Sequence, residues 1–133
     1  MLERGVERSV LPVSEKFGLG TLPYFPLAHG FLTGKYRRDA MVPPNTRLAL
    51  TPDAQKRRLS EKNFDILDRL ELFVQNSGRS MVELAFAWLL GRASVGSVIA
   101  GASTPQQVQQ NARASGWELT VGEMGQLDGI LSI

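Results

Sequence analysis

With 133 residues, 43% apolar and 21% charged side chains, the chain has the make-up of one folded domain rather than a disordered polymer. Its net charge of +2, from 15 basic and 13 acidic residues, gives no reason to expect nucleic acid or an anionic membrane as a partner. The absence of cysteine excludes disulfide scaffolds, thiolate zinc sites and thiol nucleophiles, and the single histidine excludes His-rich metal sites, so no metal is expected.

The opening MLERGVERS carries charges where a signal peptide needs an apolar core. No run in the chain approaches the roughly 18 apolar residues that cross a bilayer, and a cytoplasmic protein is expected. Val6, Val10, Val13 and Phe17 follow at helical spacing. Pro12 suits either a helix that starts near Ser9, with the proline in its first turn, or a kinked helix; Gly18 and Gly20 end it. Thr21–Leu27, TLPYFPL, reads as a strand whose two prolines donate no ladder bonds. AHGFLTGKY then reads as a loop or a short helical turn.

Residues 35–58 are rich in base: Lys35, Arg37, Arg38, Arg47, Lys56, Arg57 and Arg58 stand against Asp39 and Asp53. Pro43, Pro44 and Pro52 give the segment loop character. Such a loop is ordinarily a solvated surface; the alternative is a place beside an anionic ligand.

Helix starts are well marked beyond it. Ser60 caps a helix with Phe64, Leu67, Leu70 and Val74 on one face, ended by Gly78. Ser80–Glu83, Thr104–Gln107 and Thr120–Glu123 are three capping boxes. The first opens a helix with Leu84, Ala85, Trp88 and Leu89 on one side, and the last a helix with Met124, Leu127 and Leu131. Pro105 takes the favoured first position of the middle one. Gly96–Ala100, GSVIA, is suited to a buried parallel strand.

The turn Gly101-Ala102-Ser103 between that strand and the Thr104 helix has the form of an anion site. The first N–H groups of a helix lack internal partners, the dipole adds positive charge, and small residues let a phosphate approach. The same cap also serves any helix, and neither GxxxxGK[ST] nor GxGxxG is present. No hydrolase triad or glycosidase pair is legible. His29, in the PLAHG turn, reads as a satisfied or solvent-facing loop residue.

Two stretches, YFPLAHGFLTGKY (24–36) and SVIAGASTPQQVQQN (97–111), resemble the last two strand-end segments of the aldo-keto reductases. The likeness extends through LER-x-VER-x-VLPVSEKFGLG at the start to WELTVGEMGQLDGI at the end, over nearly the whole chain. It implies an α/β fold: a helix-rich C-terminal portion of a (β/α)8 TIM barrel, about strands 7 and 8 with flanking helices, as one partial domain over 1–133. Carried over by motif, Phe25, Pro26, Leu27, Ala28, Gly30, Leu32, Thr33 and Lys35 would line the pyrophosphate and ribose of NADP or NAD. Gly101, Ala102 and Ser103 would meet the adenosine-ribose phosphate, and Gln107, Gln110 and Asn111 the 2′-phosphate and adenine. Gln107 stands where arginine is common, and a neutral amide lacks the charge-assisted bonds of a guanidinium, which leaves NADP against NAD open.

The family's full barrel needs roughly 250 residues. Its tyrosine acid and the supporting lysine, aspartate and histidine lie in the first half, and Tyr24, Tyr36 and His29 match none of them. The resemblance therefore implies no catalytic residue in this chain and no carbonyl reduction by it alone. It implies either a reductase segment lacking its N-terminal catalytic half or a non-catalytic nucleotide-binding or assembly module. The expected partner is the missing half-barrel or a second copy, with a small carbonyl substrate only in a complete barrel.

Overall fold

In the computed structural model, which describes residues 1–132, the chain is built from six α-helices and three short 3₁₀ turns. The helices are α1 (Val10–Lys16), α2 (Pro52–Arg58), α3 (Glu61–Gln75), α4 (Met81–Leu90), α5 (Pro105–Arg113) and α6 (Val121–Ile130). The 3₁₀ turns span Gly5–Arg8, Ala28–Thr33 and Ala114–Gly116. No helix is long and apolar enough to cross a membrane among the described residues.

The caps explain where the helices begin. Ser80 and Thr120 each accept the N–H of the glutamate three residues on, and that glutamate accepts the cap residue's own N–H. Glu123 is thereby held below the usual glutamate range by the Thr120 N–H and hydroxyl. Burial alone would raise Glu83, but the Ser80 N–H and hydroxyl together with Arg79 outweigh it and lower it. The box at α5 is only half made: Thr104 accepts the Gln107 N–H at 3.2 Å, but the Gln107 side chain turns elsewhere. Within the basic segment, Pro52 opens α2, a helix its proline and charge content had hidden.

Helix α4 is the centre of the core. It is buried at Val82 and from Leu84 to Leu89, and it packs against α3, α5 and the turns at 28–33 and 114–116. Phe64, Leu67, Leu70 and Val74 of α3, with Leu127 and Leu131 of the C-terminal region, close over it as their spacing predicts. The Trp88 ring lies against the guanidinium of Arg92, at 4.3 Å, and near that of Arg4, at 5.7 Å. Both arginines bond Asp128 Oδ1, at 2.8 and 3.0 Å, so one cluster ties the N-terminal segment, α4 and α6 together.

One expectation is corrected. The strands over Thr21–Leu27 and Gly96–Ala100, read as strands 7 and 8 of a barrel, are not seen: the described residues hold a single isolated parallel bridge, Thr21 to Val95. Thr21 N–H donates to Ser94 O at 2.6 Å, Gly96 N–H donates to Thr21 O at 3.1 Å, and the pairing stops there. Pro23 and Pro26 bring no donors, Phe25 leaves extended geometry at φ +52°, and a two-stranded ladder is marginal by itself. The fold is helical, with no α/β sheet among the described residues.

The stripe Val6, Val10, Val13 and Phe17 is a finding of another kind. Helix α1 does carry Pro12 in its first turn, but the stripe faces outward, from 47% exposed at Val6 to 66% at Phe17; Leu11 and Ser14 are its buried residues. Val6 lies in the 3₁₀ turn before α1 and Phe17 just past its end, so only Val10 and Val13 of the stripe belong to the helix itself.

Truncating Leu84, which is fully buried, to alanine is expected to destabilise the chain by about 2–5 kcal/mol. Ser80→Ala is expected to cost about 1 kcal/mol through its lost cap. Denaturant unfolding of the two variants checks both values and their order.

Candidate functional site

A cleft of about 750 Å³ opens between two segments far apart in sequence. That is within the usual range for a ligand site. One wall is residues 25–35, the other residues 100–111, and the N-terminal end of α4 (Ser80, Met81, Val82) lies between them. Asn45, Thr46, Arg47 and Leu50 of the basic segment complete it.

The first wall is bent by backbone that L residues seldom adopt. Phe25, Ala28, His29, Gly30 and Gly34 all have φ between +48° and +85°. At Gly30 a Cβ would sit 2.9 Å from Lys35 Cε and Nζ, so glycine is what lets the lysine fold back over the turn. Gly34 is pressed against Glu71, whose carboxylate also accepts from Arg37 at 3.0 Å. Left-handed non-glycine residues store strain of order 1–3 kcal/mol and gather at ligand-binding turns.

The second wall is small and short: Ala100, Gly101, Ala102 and Ser103 lead into Thr104 and α5. Gln107 folds back on this turn, its Oε1 accepting from Ser103 N–H at 2.8 Å and Ser103 Oγ at 3.1 Å. The amide that stands in for an arginine is thus engaged with the turn itself. Arg47 reaches across: its Nη2 lies 3.5 Å from where a Cβ on Gly101 would be.

Of the residues singled out by motif, Phe25, Pro26, Leu27, Gly30, Thr33, Lys35, Gly101, Ala102, Ser103, Gln107, Gln110 and Asn111 come together on this cleft. Ala28 and Leu32 do not. They are buried in the core and border a separate apolar cleft of about 290 Å³ beside Trp88.

The basic segment divides by function. Arg38 pairs with Glu61, and with Asp65 and Asp68 at 3.0 and 3.1 Å; Arg58 is buried and pairs with Glu3 at 2.7 Å. Lys35 and Arg47 have no carboxylate partner among the described residues, and both line the cleft. Arg47 was legible only as one base among several; its neighbour Asn45, at φ +64°, marks the turn that aims it.

His29, read as a satisfied or solvent-facing loop residue, is part-buried. Its ring stacks on Phe25 at 4.2 Å, and its Nδ1 is buried without a hydrogen-bond partner. Burial first, then Arg58, Arg47 and Arg57, hold it below the ordinary histidine range. No group of three or more metal-ligating side chains occurs among the described residues. The arrangement offers small-residue backbone and two cations without a carboxylate partner among the described residues: a site for an elongated anion.

Comparison with known proteins places this geometry in context. A sequence model of the Aldo/keto reductase family matches residues 1–132. The L-glyceraldehyde 3-phosphate reductase of Escherichia coli O157:H7 is 33% identical over 96% of this chain and 38% of its own length. The NADH-specific methylglyoxal reductase of Escherichia coli K12 is 31% identical, over 86% of this chain and 34% of its own. Among solved structures, the glycerol dehydrogenase AKR11B4 from Gluconobacter oxydans superposes with a TM-score of 0.80 at 34% identity, over 98% of this chain and 39% of that one. The chain thus spans less than two-fifths of the length of each of these relatives.

Arg47→Gln is expected to weaken binding of inorganic pyrophosphate roughly tenfold at low salt, about 1.4 kcal/mol. The unfolding midpoint is expected to be unchanged. Calorimetric titration of the variant against the parent checks this; equal affinity would remove Arg47 from the site.

Proposed function

This chain belongs to the aldo/keto reductase family, and from that membership we propose that its cleft receives the adenosine and pyrophosphate part of NADP or NAD. Family membership supports an oxidoreductase role. The observation that carries the reading is the meeting of the two distant motifs, 25–35 and 101–111, across one cleft with Lys35 and Arg47 unpaired. The residues fit such a ligand. Gly101 and Ala102 leave room beside the backbone, and the cations answer the charge of two linked phosphates.

When bound, a nicotinamide dinucleotide supplies the hydride that the family's reductases deliver to an aldehyde or ketone carbonyl carbon. The residues of this chain do the holding. Lys35, folded over Gly30, and Arg47, across from Gly101, hold charge at the two sides of the cleft. Ser103 and Gln107 bracket the start of α5 as a neutral pair. Gln107 therefore brings no formal charge to a 2′-phosphate, and a 2′-hydroxyl suits its amide equally well.

The chain is, in this reading, the cofactor-holding segment of a reductase and does not turn over carbonyl substrates by itself. Tyr24, Tyr36 and His29 fall outside the motifs of the family's proton-donating tyrosine and its partners. A cysteine-free chain has no need of an oxidising compartment, which is in keeping with a cytoplasmic setting. Titration with NADP and with NAD is expected to give binding, and Gln107→Arg to tighten NADP several-fold while leaving NAD unchanged. Steady NADPH oxidation by clean protein across a panel of aldehydes would contradict the non-catalytic part.

A second reading, an assembly module, is favoured by the outward apolar stripe. Val6, Val10, Val13 and Phe17 are joined by Leu22 and by Tyr24, which is 83% exposed. Together they form a face of the kind that recruits a partner. We take the occupant to be the counterpart of the larger portion that the full-length relatives possess, with a second copy as its substitute when that portion is missing. Sedimentation velocity of the chain alone is expected to show association rising with concentration; a compact monomer at high concentration contradicts it.

A further inference from the structure

The one histidine of this chain sits where a titrating group would sense an anion. Its ring forms part of the cleft wall, stacked on Phe25, at a backbone position held left-handed at φ +60°. It also borders a second depression, of about 560 Å³, together with Tyr24, Arg57 and Arg58. His29 is thus a partition between two cationic hollows rather than a surface side chain.

The charged and titratable groups around it are nearly all of one sign. Lys35 and Arg47 share the cleft with it. Arg57 and Arg58 of α2 face it across the smaller depression, where Glu3 is the only carboxylate and is committed to Arg58 at 2.7 Å. Tyr36 donates its hydroxyl to the His29 carbonyl at 3.4 Å and adds no charge. Without a ligand, this surrounding disfavours the imidazolium. An anion lying between Lys35 and Arg47 reverses that balance, because it is the one negative charge the pocket would contain.

We propose that His29 couples the cleft to pH: a phosphorylated ligand seated between the two walls is bound together with a proton taken up at His29. The inference rests on the reading of the cleft as a nucleotide site and goes beyond it, since it concerns a residue outside the family motif's cofactor-lining set. The direction follows from linkage. The ligand favours the protonated histidine, so protonated protein binds it better, and affinity rises as pH falls through the histidine's titration. A ligand-induced rise of half a pKa unit corresponds to about a threefold gain in affinity on the acid side.

The experiment uses ADP-ribose, whose linked phosphates lack the second ionisation near pH 6 that a terminal phosphate has, so the probe keeps one charge throughout. Because the chain has a single histidine, its imidazole signal can be followed by NMR without ambiguity. The expected result is an upward shift of the histidine midpoint when ADP-ribose saturates the protein. With it, affinity should fall by up to about threefold as pH rises from 5 to 7.5. His29→Asn, which tolerates the left-handed backbone, is expected to bind with no pH dependence in that window. Binding of ADP-ribose with an unmoved histidine midpoint overturns the coupling and leaves the nucleotide site standing. No binding at any pH overturns both.

Discussion

Helix α4 has almost no outside. Between Val82 and Leu89 only Glu83 escapes burial, and Glu83 is committed to the Ser80 cap. A helix apolar on every side must be surrounded, and α4 is, by α3, α5 and the turns at 28–33 and 114–116. That requirement brings residue 30 and residue 101 to opposite sides of its N-terminal end, where Ser80, Met81 and Val82 line the space left between them. The cleft is what remains when two irregular segments are drawn against one buried helix. Its other end is fixed as firmly, by Trp88 beside the two arginines that share Asp128.

The helical part of this arrangement is written plainly in the sequence. Ser60, Ser80 and Thr120 mark starts that the structure uses, and the Phe64–Leu67–Leu70–Val74 stripe is buried throughout. These signals are local: a cap needs a partner three residues away and a stripe needs only its own periodicity. The strands failed for the opposite reason. GSVIA and TLPYFPL have strand composition, but a ladder depends on neighbours outside the segment, and here it ends after Thr21 and Val95. Spacing reports that residues share a face, not what the face meets, and Val6, Val10, Val13 and Phe17 stay about half to two-thirds exposed.

The candidate site was half legible. The motif residues of 25–35 and 101–111 were named as two groups, and they do face one cleft, apart from Ala28 and Leu32. What the motifs did not contain is what joins them: Arg47 from the basic segment and the tip of α4. Arg47 differs from Arg37, Arg38 and Arg58 only in lacking a carboxylate within reach, a property of the folded chain that no spacing rule carries. The same holds for Gln107, whose turn toward Ser103 rather than toward the helix cap is decided by a choice between nearby donors.

The most direct measurement is a map of backbone amide shifts as adenosine 2′,5′-bisphosphate is added to the isotope-labelled chain. A nucleotide held between two walls predicts shifts at both Gly30–Lys35 and Gly101–Asn111, with Arg47 among them, and little change along α1 and α6. Shifts confined to the outward face of α1, shifts on one wall only, or none at millimolar ligand would contradict the assignment of this cleft.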